Sequence, residues 1–474
     1  MRMTRVLFAV ASLWSSSFLT AQNHSDPPLL IKAANIIDVD AGTVRRADVL
    51  VANGWITEIA AHISTPTSAK QINARGKFLI PGLWDMHVHL AGLSADPAWS
   101  RDLLLPLLVA NGLTGVRDMG GNLEVLQQWR KGITEKQIPG PEIVAAGPML
   151  DGEFDDPNVL KTTNPQEARE RVAELKSRGA AFVKILSGLD RDTYFAAVAG
   201  AKENALTLVG HVPPLVGLDE ASNAGQKSIE HILYSGIAVA CSANAEELRR
   251  KWDAAMRSGA IREIGSVENA AIADYSPSRA DALWKTLVRN KTWVTPTLHS
   301  TYSSAHLAEL VKEDPGMAYV PKSVAAKWTS EKLQFSLAPD KLEWWGRELR
   351  NQLKLVKEMH AAGVHILAGT DSLDPHNVPG ASLPHELELL TETGLTPRDA
   401  LRTATLGPAE FFERTDIGNL NVGSKADIVL LDANPLEDIG NVRRIQAVIL
   451  AGELLTRSQL DTMLIRVKTQ AAAK

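Results

Sequence analysis

The stretch from Asn164 to Leu186, NPQEARERVAELKSRGAAFVKIL, contains the unit that decides the fold. Asn164 is a side-chain N-cap, Pro165 presets the backbone at the first helical position, and Glu167 stands third, where a capping-box acid belongs. Gly179 can take the left-handed conformation that ends a helix. The apolar run 181–186 follows at once, with the β-branched and aromatic content of a buried strand. A helix feeding directly into an apolar strand is the crossover of a parallel α/β sheet. Working outward, apolar runs bounded by turn residues recur at 79–89, 113–118, 142–146, 181–186, 206–211, 228–231, 292–298 and 364–370. Eight such runs predict an α/β protein with a (β/α)₈ TIM barrel over 77–415, whose site lies at the C-terminal strand ends. The rival, an open doubly wound sheet, lacks its Gly-rich phosphate loop after the first run.

On either side of that repeat the texture changes. Residues 22–76 and 416–474 carry short β-rich runs broken by Asp40-Ala41-Gly42 and Asn53-Gly54, and are predicted to form one composite β-sandwich domain. Two segments, at about 240–290 and 299–345, interrupt the repeat as insertions after the sixth and seventh strands. There they stand above the expected mouth, as a lid or specificity cap or as surface decoration. Their Trp252, Trp284, Trp328, Trp344 and Trp345 either present aromatic surface to an apolar substrate group or pack a core.

The chain has 474 residues, a formal net charge of -5 and one cysteine. That balance, without a long Lys/Arg run, excludes the electrostatic footprint of a nucleic-acid binder and leaves a small-molecule substrate. Residues 1–21 read as a secretory signal peptide: Arg2 and Arg5, an apolar stretch to Leu19, then small Ala21. The expected location is exported, periplasmic or secreted, with no membrane attachment once the leader is removed, since no later run reaches a spanning length. Cys241 cannot pair within the chain, so an exported protein must rely on a large core. A homo-oligomer stays open.

Chemistry-bearing residues fall at the predicted strand ends. In Pro81-Gly82-Leu83-Trp84-Asp85-Met86-His87-Val88-His89-Leu90, His87 and His89 are two apart on a strand and face the same side, so both can reach one cation. Lys184 lies in apolar Phe182-Val183-Lys184-Ile185-Leu186; it is either a buried ion-pair member or an amine kept neutral by burial, able to add CO₂ and form a carbamate. His211 and His231 end the fifth and sixth runs, each a metal ligand or a satisfied core histidine. Asp371 ends the eighth in Gly369-Thr370-Asp371-Ser372; it can bind a metal and take a proton from water, or merely cap a helix. Imidazole and carboxylate donors suit Zn²⁺ first, with Mn²⁺, Co²⁺ and Fe²⁺ as alternatives.

As a set these motifs resemble the amidohydrolase superfamily, in its imidazolonepropionase-like and metal-dependent Xaa-Pro dipeptidase-like branch. The resemblance runs from PGLWDMHVHL through AFVKI, VGHVPP, SIEH and AGTDS to PGASLPHELELL, LTPRDALRTAT and VGSKADIVLLDANPL. It implies two divalent metal ions, most simply Zn²⁺, one on His87, His89 and Asp371 and the other on His211 and His231. Lys184, as its CO₂-derived carbamate, would bridge them. A hydroxide activated by the metals would attack an amide carbonyl, with Asp371 as the catalytic proton carrier. Lys184 and the Val212-Pro213-Pro214 that follows His211 favour hydrolysis over the deaminase branch of the family. The leading expectation is cleavage of a dipeptide or N-acyl amino acid. A cyclic-amide, imidazolone-type hydrolase is the nearest alternative, then an inactive periplasmic metal- or ligand-binding protein. A Schiff-base lyase would use Lys184 and leave the metal-ligand candidates idle.

Overall fold

A computed structural model describes residues 27–474 except 93–98, 153–155, 259–260, 329–335 and 373–374. The predicted signal peptide, 1–21, lies outside the described residues, as does part of the second insertion. The helix that opened the sequence reading spans Pro165–Ser177. Asn164 accepts from the amides of Gln166 and Glu167, while Glu167 turns to the amide of Thr163 rather than completing a capping box. Gly179 has φ +84°, a left-handed stop that a side chain would strain.

Seventeen strands are present among the described residues. Parallel strands β6 (Leu83–Val88), β7 (Leu113–Asp118) and β8 (Glu142–Ala145) form one sheet in the order β6-β7-β8. A second parallel sheet contains β9 (Met149–Asp151), β10 (Val159–Lys161), β11 (Phe182–Ile185), β12 (Thr207–Gly210), β13 (Ser228–Glu230) and β14 (Trp293–Thr295), in the order β10-β9-β11-β12-β13-β14. The two sheets approach each other at both edges. The Ala181 amide, just before β11, donates to the Ala145 carbonyl of β8 at 2.9 Å. On the other side, 365–372 bridges β14 and β6 through Val294–Ile366 and Val88–Ser372, with Met86 N–H donating to Ala368 at 2.9 Å.

Two differences from the predicted strands have physical causes. The run 364–370 makes isolated bridges instead of a ladder, because Gly369 presses into the backbone and side chain of His87 and the chain then turns at Asp371, φ +58°. Strands β9 and β10 were not foreseen. Each is three residues long, too short for its alternation to stand out from a loop.

The ends of the chain supply a separate eight-stranded mixed sheet. Strands β1 (Leu29–Asp38), β2 (Thr43–Ala52), β3 (Trp55–Ala60), β4 (Lys70–Asn73) and β5 (Phe78–Pro81) join β15 (Ile428–Leu431), β16 (Ile445–Leu450) and β17 (Glu453–Thr456). Its order is β17-β16-β15-β5-β1-β2-β3, with β4 on β1. The sheet curls far enough for Gly54, at the start of β3, to accept from Ala426, just before β15. The curl encloses Ile31, Ile36, Val49, Ile56, Leu79, Ile428, Leu430 and Ile449, all 2% exposed or less. Period-two alternation, with the phase shifted between Ile31 and Ala34 by a β-bulge at which Ala33 has φ +58°, puts these residues on one face, and curling closes that face on itself. A last helix, Arg457–Ala473, lies against the helix Arg101–Ala110.

Of the insertion tryptophans, Trp252 and Trp284 are core residues, 2% and 3% exposed. Trp328 is buried 6.2 Å from the His376 ring, and Trp344 and Trp345 are half-buried and pack on each other. Among the described residues, no helix is long and apolar enough to cross a membrane.

Candidate metal centre

Strand β6 delivers His87 fully buried, and the chain just beyond it delivers His89. Both Nε2 atoms face one carboxylate oxygen, Asp371 Oδ1, at 3.5 Å from His87 and 3.4 Å from His89. One ligand atom from each of His87, His89 and Asp371 lies within 4.8 Å of the other two, a spacing that can hold a metal ion. His231 follows β13, with Nδ1 3.8 Å from Asp371 Oδ2, and His211 follows β12. The rings form a continuous arc, with centroids 5.3 Å apart for His89–His87, 4.6 Å for His87–His231 and 5.1 Å for His231–His211. Lys184, on β11, is 1% exposed, and the charges of Glu230, Asp371 and Arg117 act on it.

Each histidine has an orienting partner at Nδ1, acceptor-only for His87 and His89 and a hydroxyl for His211 and His231. His87 Nδ1 donates to the Glu230 carboxylate at 2.9 Å, and His89 Nδ1 to the Gly120 carbonyl at 3.0 Å. His211 Nδ1 lies 2.9 Å from Ser187 Oγ, whose own proton goes to the Tyr234 carbonyl. His231 Nδ1 lies 2.8 Å from Thr297 Oγ1, whose proton goes to Pro296. Each hydroxyl thus has a carbonyl within reach for its own proton and is able to accept from the imidazole. With hydrogen on Nδ1 a ring keeps the Nε2 lone pair as the ligand atom, the arrangement that orienting partners impose on metal-bound histidines. The His87 Nε2 is buried without a hydrogen-bond partner, which a cation would resolve.

Burial and charge move the titrations of three of the four histidines toward the neutral form and that of His89 away from it. Burial, then the Lys184 charge, holds His87 and His211 well below the ordinary imidazole value, so both are neutral donors. Burial also depresses His231, to about 4. At His89 burial pulls downward, but the Asp371 carboxylate overrides it and the value is raised. Asp371 feels burial upward and the histidines downward; the histidines win and it is ionised. Burial brings Lys184 down to about 8, against the pull of Glu230 and Asp371. A measurable share of neutral amine is then present near neutrality.

Several residues of the site were not among the expected ligands, although Asp85, Glu230 and Gly369 lie within the quoted motifs. Arg117, buried on β7, donates to both Glu230 oxygens at 2.8 and 2.9 Å, to the Met86 carbonyl at 2.6 Å and to Thr295 Oγ1 at 3.1 Å. Its guanidinium lies 4.9 Å from the Phe411 ring centroid. Burial would raise the Glu230 carboxyl, yet Arg117 holds it well below the usual carboxylate range. Asp85 accepts from the His87 and Thr370 amides and from Thr370 Oγ1, tying β6 to the segment that carries Asp371; burial raises it to about 7. The available signal was a charged residue within or at the end of an apolar run: Arg117 lies within β7 and Glu230 ends β13, both fully buried, where a charge must be paired. Their partnership is long-range, so sequence spacing could not pair them. At Gly369 a Cβ would stand 2.8 Å from the His87 Cβ, so only glycine lets the two segments close. His231, Thr297 and Asp371 all have positive φ, at +64°, +50° and +58°, local strain of the kind that collects at functional sites.

A groove of about 1040 Å³, lined by Trp55, Arg130, Glu142 and Met463 among others, contains none of these residues. It meets β8 at its first residue, Glu142, the end opposite the histidines.

Histidines, a lysine and an aspartate converging at the C-terminal ends of parallel strands define a candidate metal centre on an α/β scaffold. The chain belongs to the amidohydrolase family, whose sequence model matches residues 78–455. Ochratoxinase from Aspergillus niger is 26% identical over 451 residues, covering 86% of this chain and 82% of that protein. A dihydroorotase from Trichlorobacter lovleyi is 40% identical over 92 residues, 19% of this chain and 21% of that protein. Solved structures share the fold at low identity. A prolidase complexed with N-methylphosphonate-L-proline has a TM-score of 0.66 at 20% identity, covering 91% of this chain and 100% of that one. A bottromycin amidohydrolase has a TM-score of 0.70 at 21% identity, covering 93% and 90%. Family membership supports a hydrolase of carbon–nitrogen bonds acting on a small molecule, in a superfamily that generally uses divalent metals.

Proposed function

We propose that this protein is a binuclear metal-dependent amidohydrolase that cleaves the C–N bond of a dipeptide or N-acyl amino acid. The observation that carries the reading is the convergence of His87, His89 and Asp371 within metal-ligand spacing, continued through His231 to His211 by rings with Nε2 available. We further propose that the two parallel sheets close through 365–372 into a (β/α)₈ barrel, and that the mature chain, without residues 1–21, works outside the cytoplasm.

His87, His89 and Asp371 would hold one cation, and His211 and His231 a second. Divalent cations, when bound, supply Lewis-acid polarisation of the carbonyl and acidify a water, most simply as Zn²⁺. Lys184 would contribute through its neutral amine: after the ammonium loses one proton, the amine adds CO₂ and releases a second, so that a buried cation becomes a carbamate anion that could help hold the cations. That exchange removes the conflict of an ammonium beside four imidazoles. Asp371 is held by its own amide, which donates to the His87 carbonyl at 2.7 Å, and by Asn377 Nδ2, which donates to its carbonyl at 3.1 Å. In that fixed position its carboxylate accepts a proton from the attacking water and passes it to the leaving nitrogen. Glu230 and Arg117 keep His87 oriented without touching substrate.

The test is product detection by mass spectrometry from a panel of dipeptides, N-acyl amino acids and cyclic amides. Zinc-reconstituted protein should release a free amino acid and chelator-treated protein should not. Ring opening of the cyclic amides alone would replace this reading with a cyclic-amide hydrolase.

A further inference from the structure

We propose that Asp314 and His376 form a buried clamp through which the second insertion positions Asp371 for metal binding and proton transfer; this rests on the amide-hydrolase reading above. His376 Nδ1 lies 2.9 Å from Asp314 Oδ2, and the two side chains are 5% and 13% exposed. The other carboxylate oxygen of Asp314 accepts from the Gly316 amide at 2.8 Å and caps the 3₁₀ helix Pro315–Tyr319. The pair joins the insertion to the loop that leaves the eighth predicted strand, five residues beyond Asp371.

Three consecutive residues make the connection. His376 goes to Asp314. Asn377 grips the site segment instead: it is fully buried, and its Nδ2 donates to the carbonyls of Thr370 and Asp371 at 2.5 and 3.1 Å. Val378 returns to the insertion, 2% exposed in an apolar cluster with Val320, Val324 and Trp328, and a Cβ on Gly316 would lie 3.1 Å from its Cγ2. The Asn377 grip on Asp371 is therefore set between two contacts with the insertion. Asp371 and His376 both have left-handed backbones, φ +58° and +62°, a conformation that costs a non-glycine residue energy and persists only where its surroundings fix it. Surface decoration would attach through exposed side chains, whereas this attachment is buried and reaches the backbone of a candidate metal ligand. A misplacement of about 1 Å at a reacting group costs about 100-fold in rate, so a small freedom in this loop has a large effect.

Asp314→Ser isolates the clamp, because serine keeps a helix-capping hydroxyl and is too short to hold the imidazole. His376→Asn removes the imidazole and keeps a residue that tolerates the left-handed backbone. Two readouts separate positioning from stability: Zn²⁺ affinity by competition with a chelator, and kcat and KM on the dipeptide or N-acyl amino acid that the wild type turns over fastest. Each variant should bind Zn²⁺ about tenfold more weakly and, with zinc saturating, lose about 10–100-fold in kcat while KM stays within about twofold. The double variant should lose no more than the worse single one, since both break one connection. A pair that only stabilises the fold would lower Tm and leave Zn²⁺ affinity and kcat within about twofold of wild type, a result that overturns the proposal. So does a double variant whose losses multiply, because the two residues would then act independently. If the wild type hydrolyses no amide, the amide-hydrolase reading fails, and the Zn²⁺ affinities alone decide whether the clamp positions Asp371.

Discussion

Replacing Glu230 by Gln keeps its shape and removes its charge, and the structure sets the consequence. Arg117 is then a fully buried guanidinium without its carboxylate, and His87 Nδ1 loses its anionic acceptor. Breaking one side of a buried ion pair costs about 3–5 kcal/mol, because the remaining charge stays desolvated. With an unfolding entropy of about 2.1 cal/mol/K per residue over 474 residues, close to 1 kcal/mol/K, Tm should fall by about 3–5 °C. Loss of the orienting partner should separately weaken metal binding by about 10–100-fold. Differential scanning calorimetry of the metal-free protein measures the first effect, and competition with a metal chelator the second. The double variant Arg117→Met/Glu230→Met should recover most of the Tm while metal affinity stays low, since one loss comes from an unpaired charge and the other from an unheld imidazole. A Glu230→Gln protein with Tm within 1 °C of wild type and metal affinity within about twofold would refute the reasoning, because neither the buried pair nor the orientation would matter.

Lys184→Ala should abolish turnover and leave the fold, with activity returning when a short carboxylate is added; near-normal rates without it would remove the lysine from the mechanism. Treatment with a strong chelator should stop hydrolysis, and Zn²⁺ should restore it, measured by amino-acid release. At the contact between the helices Ile261–Ala273 and Pro339–Ala361, Glu268 and Glu348 are each 1% exposed, with both oxygens of Glu268 and one of Glu348 lacking a hydrogen-bond partner. Burial, and for Glu268 the neighbouring Glu348, raises both carboxyls above their ordinary 4.5. The folded protein therefore binds protons that the unfolded chain has released, so these groups cost stability progressively as pH rises above about 4.5. Glu268→Gln should flatten the fall of Tm between about pH 5 and pH 9; an unchanged slope would show that the pair does not carry it.

The local units and the ligand types are legible in the residues alone. Helix 165–177 is written in Asn164, Pro165 and Gly179, and most of the parallel strands in runs of apolar residues, because caps and alternation are short-range physics. His87, His89, Lys184, His211, His231 and Asp371 stood out because each ends or interrupts an apolar run. How they are held depends on partners that folding brings from elsewhere in the chain. The four histidines are oriented at Nδ1 by Glu230, Gly120, Ser187 and Thr297, and two of those partners, Glu230 and Gly120, lie 143 and 31 residues from the histidine they orient. The Arg117–Glu230 pair joins β7 to β13 across 113 residues, and Asp85 reaches Thr370 across 285. Short β9 and β10 and the bent segment at 365–372 were likewise hidden, whereas the joining of the two chain ends in one sheet was expected and only its curl was not. Each depends on which distant segment lies alongside, and no local pattern of residue types encodes that neighbour.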